Sequence, residues 1–183
     1  MKTVFALGAL LALATPAFAV EVAGVNLPGA VTVDGRQLRL NGAGIRKKFI
    51  IKVYVGGLYT DAPAKSLEQI VGGDHARSVH MVFLRSVDKE KILGAFKEGF
   101  EKNTPDKAAA LQPSLDKIAP VITDVKEGSE LVVDYVPGKG TTVWMKGGGS
   151  VTVPGKDFGD ALLRNWLGPE PADASLKEAM LGG

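Results

Sequence analysis

Apolar residues along this chain follow two spacings, and the change between them marks out its elements. From Val20 to Val25 apolar and polar positions alternate, and Leu27-Pro28-Gly29 turns the chain. Val31-Thr32-Val33 runs into Asp34-Gly35, a pair that accepts positive φ in a tight hairpin, and Gln37 to Leu40 continues as the return strand. Asn41-Gly42-Ala43-Gly44 predicts a second, glycine-rich bend. Phe49 to Thr60 is the strongest strand signal. Phe49, Ile51, Val53, Val55 and Tyr59 fall on one face at period two, and Ile50, Lys52, Tyr54, Gly56 and Leu58 on the other. Both faces are partly apolar, which sets one on a main core and the other against something less uniform.

The spacing then lengthens. Ser66 to Val71 predicts a short helix stopped by Gly72-Gly73, and Arg77 to Leu84 returns to a strand with Val79, Met81 and Phe83 on one face. Asp88 to Asn103 is amphipathic, with Ile92, Leu93, Phe96 and Phe100 on the apolar side. Asp106 to Ile118 is a weaker helix, expected to be interrupted at Pro113. Glu130 to Tyr135 and Thr141 to Met145 form a hairpin about Pro137-Gly138-Lys139-Gly140, and Gly147-Gly148-Gly149 turns into a strand near Ser150 to Val153. Helices over Lys156 to Leu167 and Asp173 to Leu181 close the chain. Strands, helices, a β-meander and helices again predict an α+β fold with a mainly antiparallel sheet.

The first nineteen residues break this pattern. They read MKTVFALGALLALATPAFA: one lysine, an apolar run from Val4 to Ala14, a proline, then small residues at Ala17 and Ala19. The run is too short to span a bilayer core of ~30 Å. The expectation is an export signal over residues 1–19, cleaved after Ala19, followed by one domain over 20–183 in the bacterial periplasm. No later stretch is apolar enough to predict a membrane span.

Composition narrows the chemistry. The chain of 183 residues is 45% hydrophobic and 23% charged, with 22 basic and 20 acidic side chains and no cysteine. That composition suits one folded domain, and mixed charge near neutrality argues against nucleic-acid binding. Without cysteine there is no disulfide, thiolate nucleophile or thiolate metal site. The only histidines, His75 and His80, are five residues apart and fall on opposite faces of a strand, so no metal site is expected, and no cofactor. Phe96, Phe100, Leu163 and Trp166 read as core. One cluster remains. Arg46, Lys48, Lys52 and Tyr54 share parity, so an unbroken strand would set all four on one face. Such a face is either solvated or able to bind a carboxylate or phenolate. At ~3.3 Å per residue a straight strand would hold Arg46 and Tyr54 ~26 Å apart, so they share a ligand only if the chain bends near Lys47 to Phe49.

The segment LNGAGIRKKFIIKVYVGGLY, Leu40 to Tyr59, resembles the signature of the chalcone isomerase-like superfamily, in particular its bacterial secreted branch. FLRSVDKEKILGAFKEGF, Phe83 to Phe100, and FGDALLRNWLGPEPADASLKEAMLG, Phe158 to Gly182, resemble later segments of the same family. The resemblance implies an open-faced β-sandwich: a large antiparallel sheet, a layer of helices over one face, and a ligand cleft between them. Family members either cyclise chalcones, bind fatty acids, or act as non-catalytic helpers. Arg46, in Gly44-Ile45-Arg46, matches the arginine that stabilises developing charge in the enzymes, and Tyr54 matches the tyrosine that joins an arginine in gripping a fatty-acid carboxylate. The enzymes' catalytic tyrosine has no counterpart in Ser86-Val87-Asp88. The resemblance thus implies a protein binding a small amphipathic anion through Arg46 and Tyr54. Its alternatives are an isomerase of the intramolecular lyase type, with Arg46 catalytic, and an envelope interaction protein.

Overall fold

A computed structural model describes residues 19–183. The expected export signal lies, but for Ala19, outside the described residues. Strands β1 (Val20–Val22) and β2 (Val25–Leu27) form a small ribbon. The main sheet has seven strands: β3 (Ala30–Val33), β4 (Arg36–Lys48), β5 (Ile51–Thr60), β6 (Arg77–Phe83), β7 (Glu130–Val136), β8 (Gly140–Met145) and β9 (Ser150–Val153). Their spatial order equals their chain order, and every pairing is antiparallel. Helix α1 (Leu67–Val71) lies between β5 and β6. Helices α2 (Lys89–Asn103) and α3 (Pro105–Ile118) lie between β6 and β7, and α4 (Asp157–Leu167) and α5 (Ala174–Met180) follow β9.

The helices cover one face of the sheet. Val79, Met81 and Phe83 of β6 and Leu131 and Val133 of β7 meet Ile92, Phe96 and Phe100 of α2 and Leu162 and Trp166 of α4 in one buried cluster. Arg77, 2% exposed, fastens α4 to the sheet: Nη2 donates to Asp160 Oδ1 at 2.5 Å, and the guanidinium lies 4.1 Å from the Tyr135 ring centroid. A smaller cluster of Val33, Leu38, Tyr59, Ala76 and Val136 forms a second core on the sheet. There the Tyr59 and His80 rings meet at a tilt of 55° with centroids 4.8 Å apart, and Trp144 Nε1 donates to Asp134 at 2.6 Å. Seven antiparallel strands under a helical layer form the expected α+β open-faced sandwich. Among the described residues no helix is long and apolar enough to cross a membrane.

Three local expectations need correction. No bend occurs at Asn41–Gly44: β4 runs through, with a register shift between Leu40 and Gly42. Asn41 sits at that shift and binds across, donating to the carbonyls of Ala64 and Met180 at 2.9 and 2.7 Å and accepting from Ala64 N. The glycines serve close approach. A Cβ on Gly44 would come within 2.7 Å of Ala179 Cβ, one on Gly56 within 2.8 Å of Met180 Cε, and one on Gly42 would overlap the Ala179 carbonyl. They make a bare strip on which α5 lies. Nor does Pro113 interrupt α3. It lies on the exposed side, as does Ala109, whose carbonyl loses its helical donor and can take water instead. Finally, Phe49 is not in a strand. With Ile50 it forms the turn between Lys48 and Ile51, which pair, and its φ is +57°.

Candidate functional site: an arginine–tyrosine pair at an apolar cleft

The turn at Phe49–Ile50 decides the site. It folds β5 back on β4 so that Arg46 pairs directly with Tyr54. The seven residues between them form a hairpin, so the unbroken-strand reading, with its ~26 Å separation, does not hold. Directly opposed residues of an antiparallel pair point to the same face. Here that face is toward the helices, because Tyr54 in turn pairs with Phe83. The Arg46 Cζ lies 5.8 Å from the Tyr54 ring centroid. A second register shift, between Arg46 and Lys47, leaves Val53 without a residue opposite on β4. Val53 and Tyr54 then both line the space beneath the helices.

That space is a cleft between β4–β6 and helices α2 and α4. Arg46 and Lys91 stand among its lining residues, while Phe83, Ile92, Phe96 and Trp166 make its wall. The enclosed volume is about 60 Å³, and the whole concavity out to its mouth is about 480 Å³. Two edge-to-face contacts stiffen the wall: Tyr54 on Phe83 at 5.7 Å and Phe96 on Trp166 at 6.0 Å. Of the residues read as core, Phe96 and Trp166 also face the cleft, whereas Phe100 and Leu163 lie in the core alone.

Tyr54 is 7% exposed, and its hydroxyl accepts a 2.8 Å hydrogen bond from Trp166 Nε1. An indole nitrogen only donates, so the phenol keeps its own proton free, and among the described residues no acceptor takes it. Burial pushes the Tyr54 hydroxyl up to about 12, against the pull of Arg46 and the Trp166 bond, and Asp173 adds to the rise. The phenol is therefore a neutral donor across physiological pH. Arg46 is half-buried, and no described carboxylate lies within ion-pair distance of it. Two donors, one charged and one neutral, thus converge at the edge of an apolar hollow.

Asp173, the N-cap of α5, holds this edge in place. Its Oδ1 accepts from Leu176 N at 3.0 Å and its Oδ2 from Lys47 N at 2.8 Å. Lys47 itself stays paired with Lys52 of β5, so Asp173 ties α5 to the hairpin without breaking that pair. Sequence reasoning found Arg46 and Tyr54 but missed Trp166 as the residue that orients Tyr54; a tryptophan buried in a helix needs an acceptor for its N–H, and that need is the available signal. Val87, just before α2, lines the cleft with an apolar side chain. Neither histidine approaches the site: His75 is bonded to Asp61 at 3.1 Å and His80 to Glu130 at 3.0 Å. Among the described residues no group of side chains is arranged to hold a metal ion.

Comparison with known proteins follows this geometry. No curated protein sequence matches the chain. Among solved structures, a fatty-acid binding protein of Arabidopsis thaliana superposes with a TM-score of 0.66 at 20% identity, covering 90% of this chain and 96% of that one. At that identity the likeness establishes the fold. The family profile described as chalcone isomerase-like matches residues 19–182, so the chain belongs to the chalcone isomerase-like family.

Proposed function

We propose that this chain is a periplasmic binding protein that holds a small amphipathic anion, such as a fatty acid, in the cleft between sheet and helices. The observation that carries this reading is the pairing of Arg46 with Tyr54 at an apolar hollow, each with donors to spare. The Arg46 guanidinium would bind the carboxylate through charged hydrogen bonds, and the Tyr54 hydroxyl would donate a neutral one. A fold neighbour named as a fatty-acid binding protein supports the ligand class, and the sequence of residues 1–19 supports export. Charged hydrogen bonds are worth ~1.5–3 kcal/mol and each buried methylene ~0.8 kcal/mol. Chain length then sets affinity, and Arg46 sets orientation. Sites for small molecules usually enclose ~300–1,000 Å³, so the enclosed 60 Å³ must widen as an acyl chain enters. A ring-closing isomerase gains no comparable support, since Ser86-Val87-Asp88 offers no tyrosine where the resemblance implies one.

Titration with laurate and with its methyl ester tests the reading. Arg46→Ala should weaken laurate by about 10- to 150-fold, the equivalent of the charged bonds lost, and leave the ester nearly unchanged. Equal loss for both ligands overturns it. Native mass spectrometry of the protein from its own host should show a chain beginning at Val20 with a lipid-sized adduct.

A further inference from the structure

We propose that the tip of the β4–β5 hairpin is a wedge that seats the protein on an anionic lipid surface. Phe49 and Ile50 are 92% and 93% exposed, and Ile51 beside them is 45% exposed. Three consecutive apolar side chains therefore stand in water at the most projecting point of the hairpin. Folding does not demand them there. The left-handed φ of Phe49 is a place where glycine or asparagine sits with less strain, and neither Phe49 nor Ile50 belongs to either hydrophobic cluster.

Charge selects the occupant. Lys47, Lys48 and Lys52, all exposed, form a collar directly behind the apolar tip. The acidic groups facing them from packed elements are already engaged. Asp173 accepts from Lys47 N and Leu176 N, and Glu98 of α2 is paired with Lys102 at 2.6 Å. An apolar point with a lysine collar matches a bilayer surface, where apolar side chains enter the acyl boundary and ammonium groups meet phosphates. It does not match a stable protein partner, because a convex tip of three side chains cannot supply the ~800 Å² per side that such interfaces bury. Arg46 lies three residues behind Phe49, ~10 Å along the strand, so an inserted tip brings the cleft edge to the headgroup layer. Exchange of lipid between bilayer and cleft rests on the proposed ligand; the attachment itself does not.

The test uses the chain from Val20 onward, which contains every element of the described fold and lacks the apolar N-terminal run. It should sediment with vesicles of phosphatidylcholine mixed with phosphatidylglycerol, less with phosphatidylcholine alone, and less as salt rises. Phe49→Asn/Ile50→Ser should reduce sedimentation at least about tenfold, and Lys47→Gln/Lys48→Gln should reduce it and flatten its salt dependence. Because the tip side chains lie outside the core and asparagine suits the left-handed φ, the first double variant should melt at or above the wild-type temperature and keep its laurate affinity in vesicle-free buffer. Phe49→Trp should emit at shorter wavelength when mixed vesicles are added. Arg46→Ala should still sediment, so a chain that binds vesicles but no laurate sustains the wedge while removing the proposed ligand. Sedimentation that the Phe49→Asn/Ile50→Ser change leaves intact, or no sedimentation with either vesicle, overturns the wedge. So does self-association abolished by that change, since the tip would then meet a second copy of the chain.

Discussion

Tyr54 and Trp166 act as a unit, and their chemistry sets what each substitution does. Tyr54→Phe removes the donor offered to a ligand and strands the Trp166 N–H, which now has no acceptor in a buried wall. A buried donor left unmet costs about 1–3 kcal/mol, so this variant should lose stability as well as laurate affinity. Adding Trp166→Phe removes the stranded group. The double variant should regain most of the melting temperature, though some packing is lost, and regain none of the preference for laurate over its ester. Calorimetric melting and parallel titrations separate the two effects. At this scale the sequence was informative where charge stood among apolar neighbours, as at Arg46. It was silent on Trp166, because indole burial reads as core until the atom opposite its nitrogen is known.

Glycine and turn chemistry govern the elements. Gly44→Val would drive side-chain atoms into α5, starting from a Cβ only 2.7 Å from Ala179 Cβ, and should destabilise by about 1–3 kcal/mol or more. Gly94 in α2 is the opposite case: nothing lies within 4 Å of the Cβ it lacks, so Gly94→Ala should stabilise by up to ~1 kcal/mol. Denaturant unfolding of both variants checks the pair. The same physics explains what could be read in advance. Helices α2 and α4 were legible because one face of each is apolar, and the β7–β8 hairpin because Pro137 to Gly140 announces a turn. The β4–β5 turn was hidden because Phe49 and Ile50 look like strand interior, with no glycine, proline or asparagine between the two lysines before them and Ile51 after. The glycines at 42 and 44 misled in the other direction: they mark a helix seated on the strand, a long-range fact that local spacing does not carry.

Across the whole molecule, pH should act through the second face of the sheet. The hydrogen bond with His80 holds the Glu130 carboxyl below the ordinary carboxylate range, and Lys146 adds to this against the opposing effect of burial. A lowered folded-state value means the contribution is present at neutral pH and disappears as pH falls from roughly 4–5 through the folded value. Glu130→Gln should therefore be less stable than wild type at pH 7, and the gap should shrink in acid; melting curves across that range show whether it does. The architecture at this scale was legible because element order and antiparallel pattern go together, and because the family segments span the chain. Cleft size was not, since it depends on how far helices stand from the sheet.

The strand order has a consequence for the order of synthesis. Each strand of the main sheet meets the one made just before it, so the sheet can grow as the chain emerges. The pieces that finish the hollow arrive late: Trp166 reaches back 112 residues to Tyr54, Asp173 reaches back 126 to Lys47, and Met180 accepts from Asn41 across 139. The pocket is thus completed only after every strand of the sheet has been made. A nascent chain halted before α4 would hold the complete sheet under α2 and α3, with the apolar surface that α4 covers left bare and sticky toward chaperones.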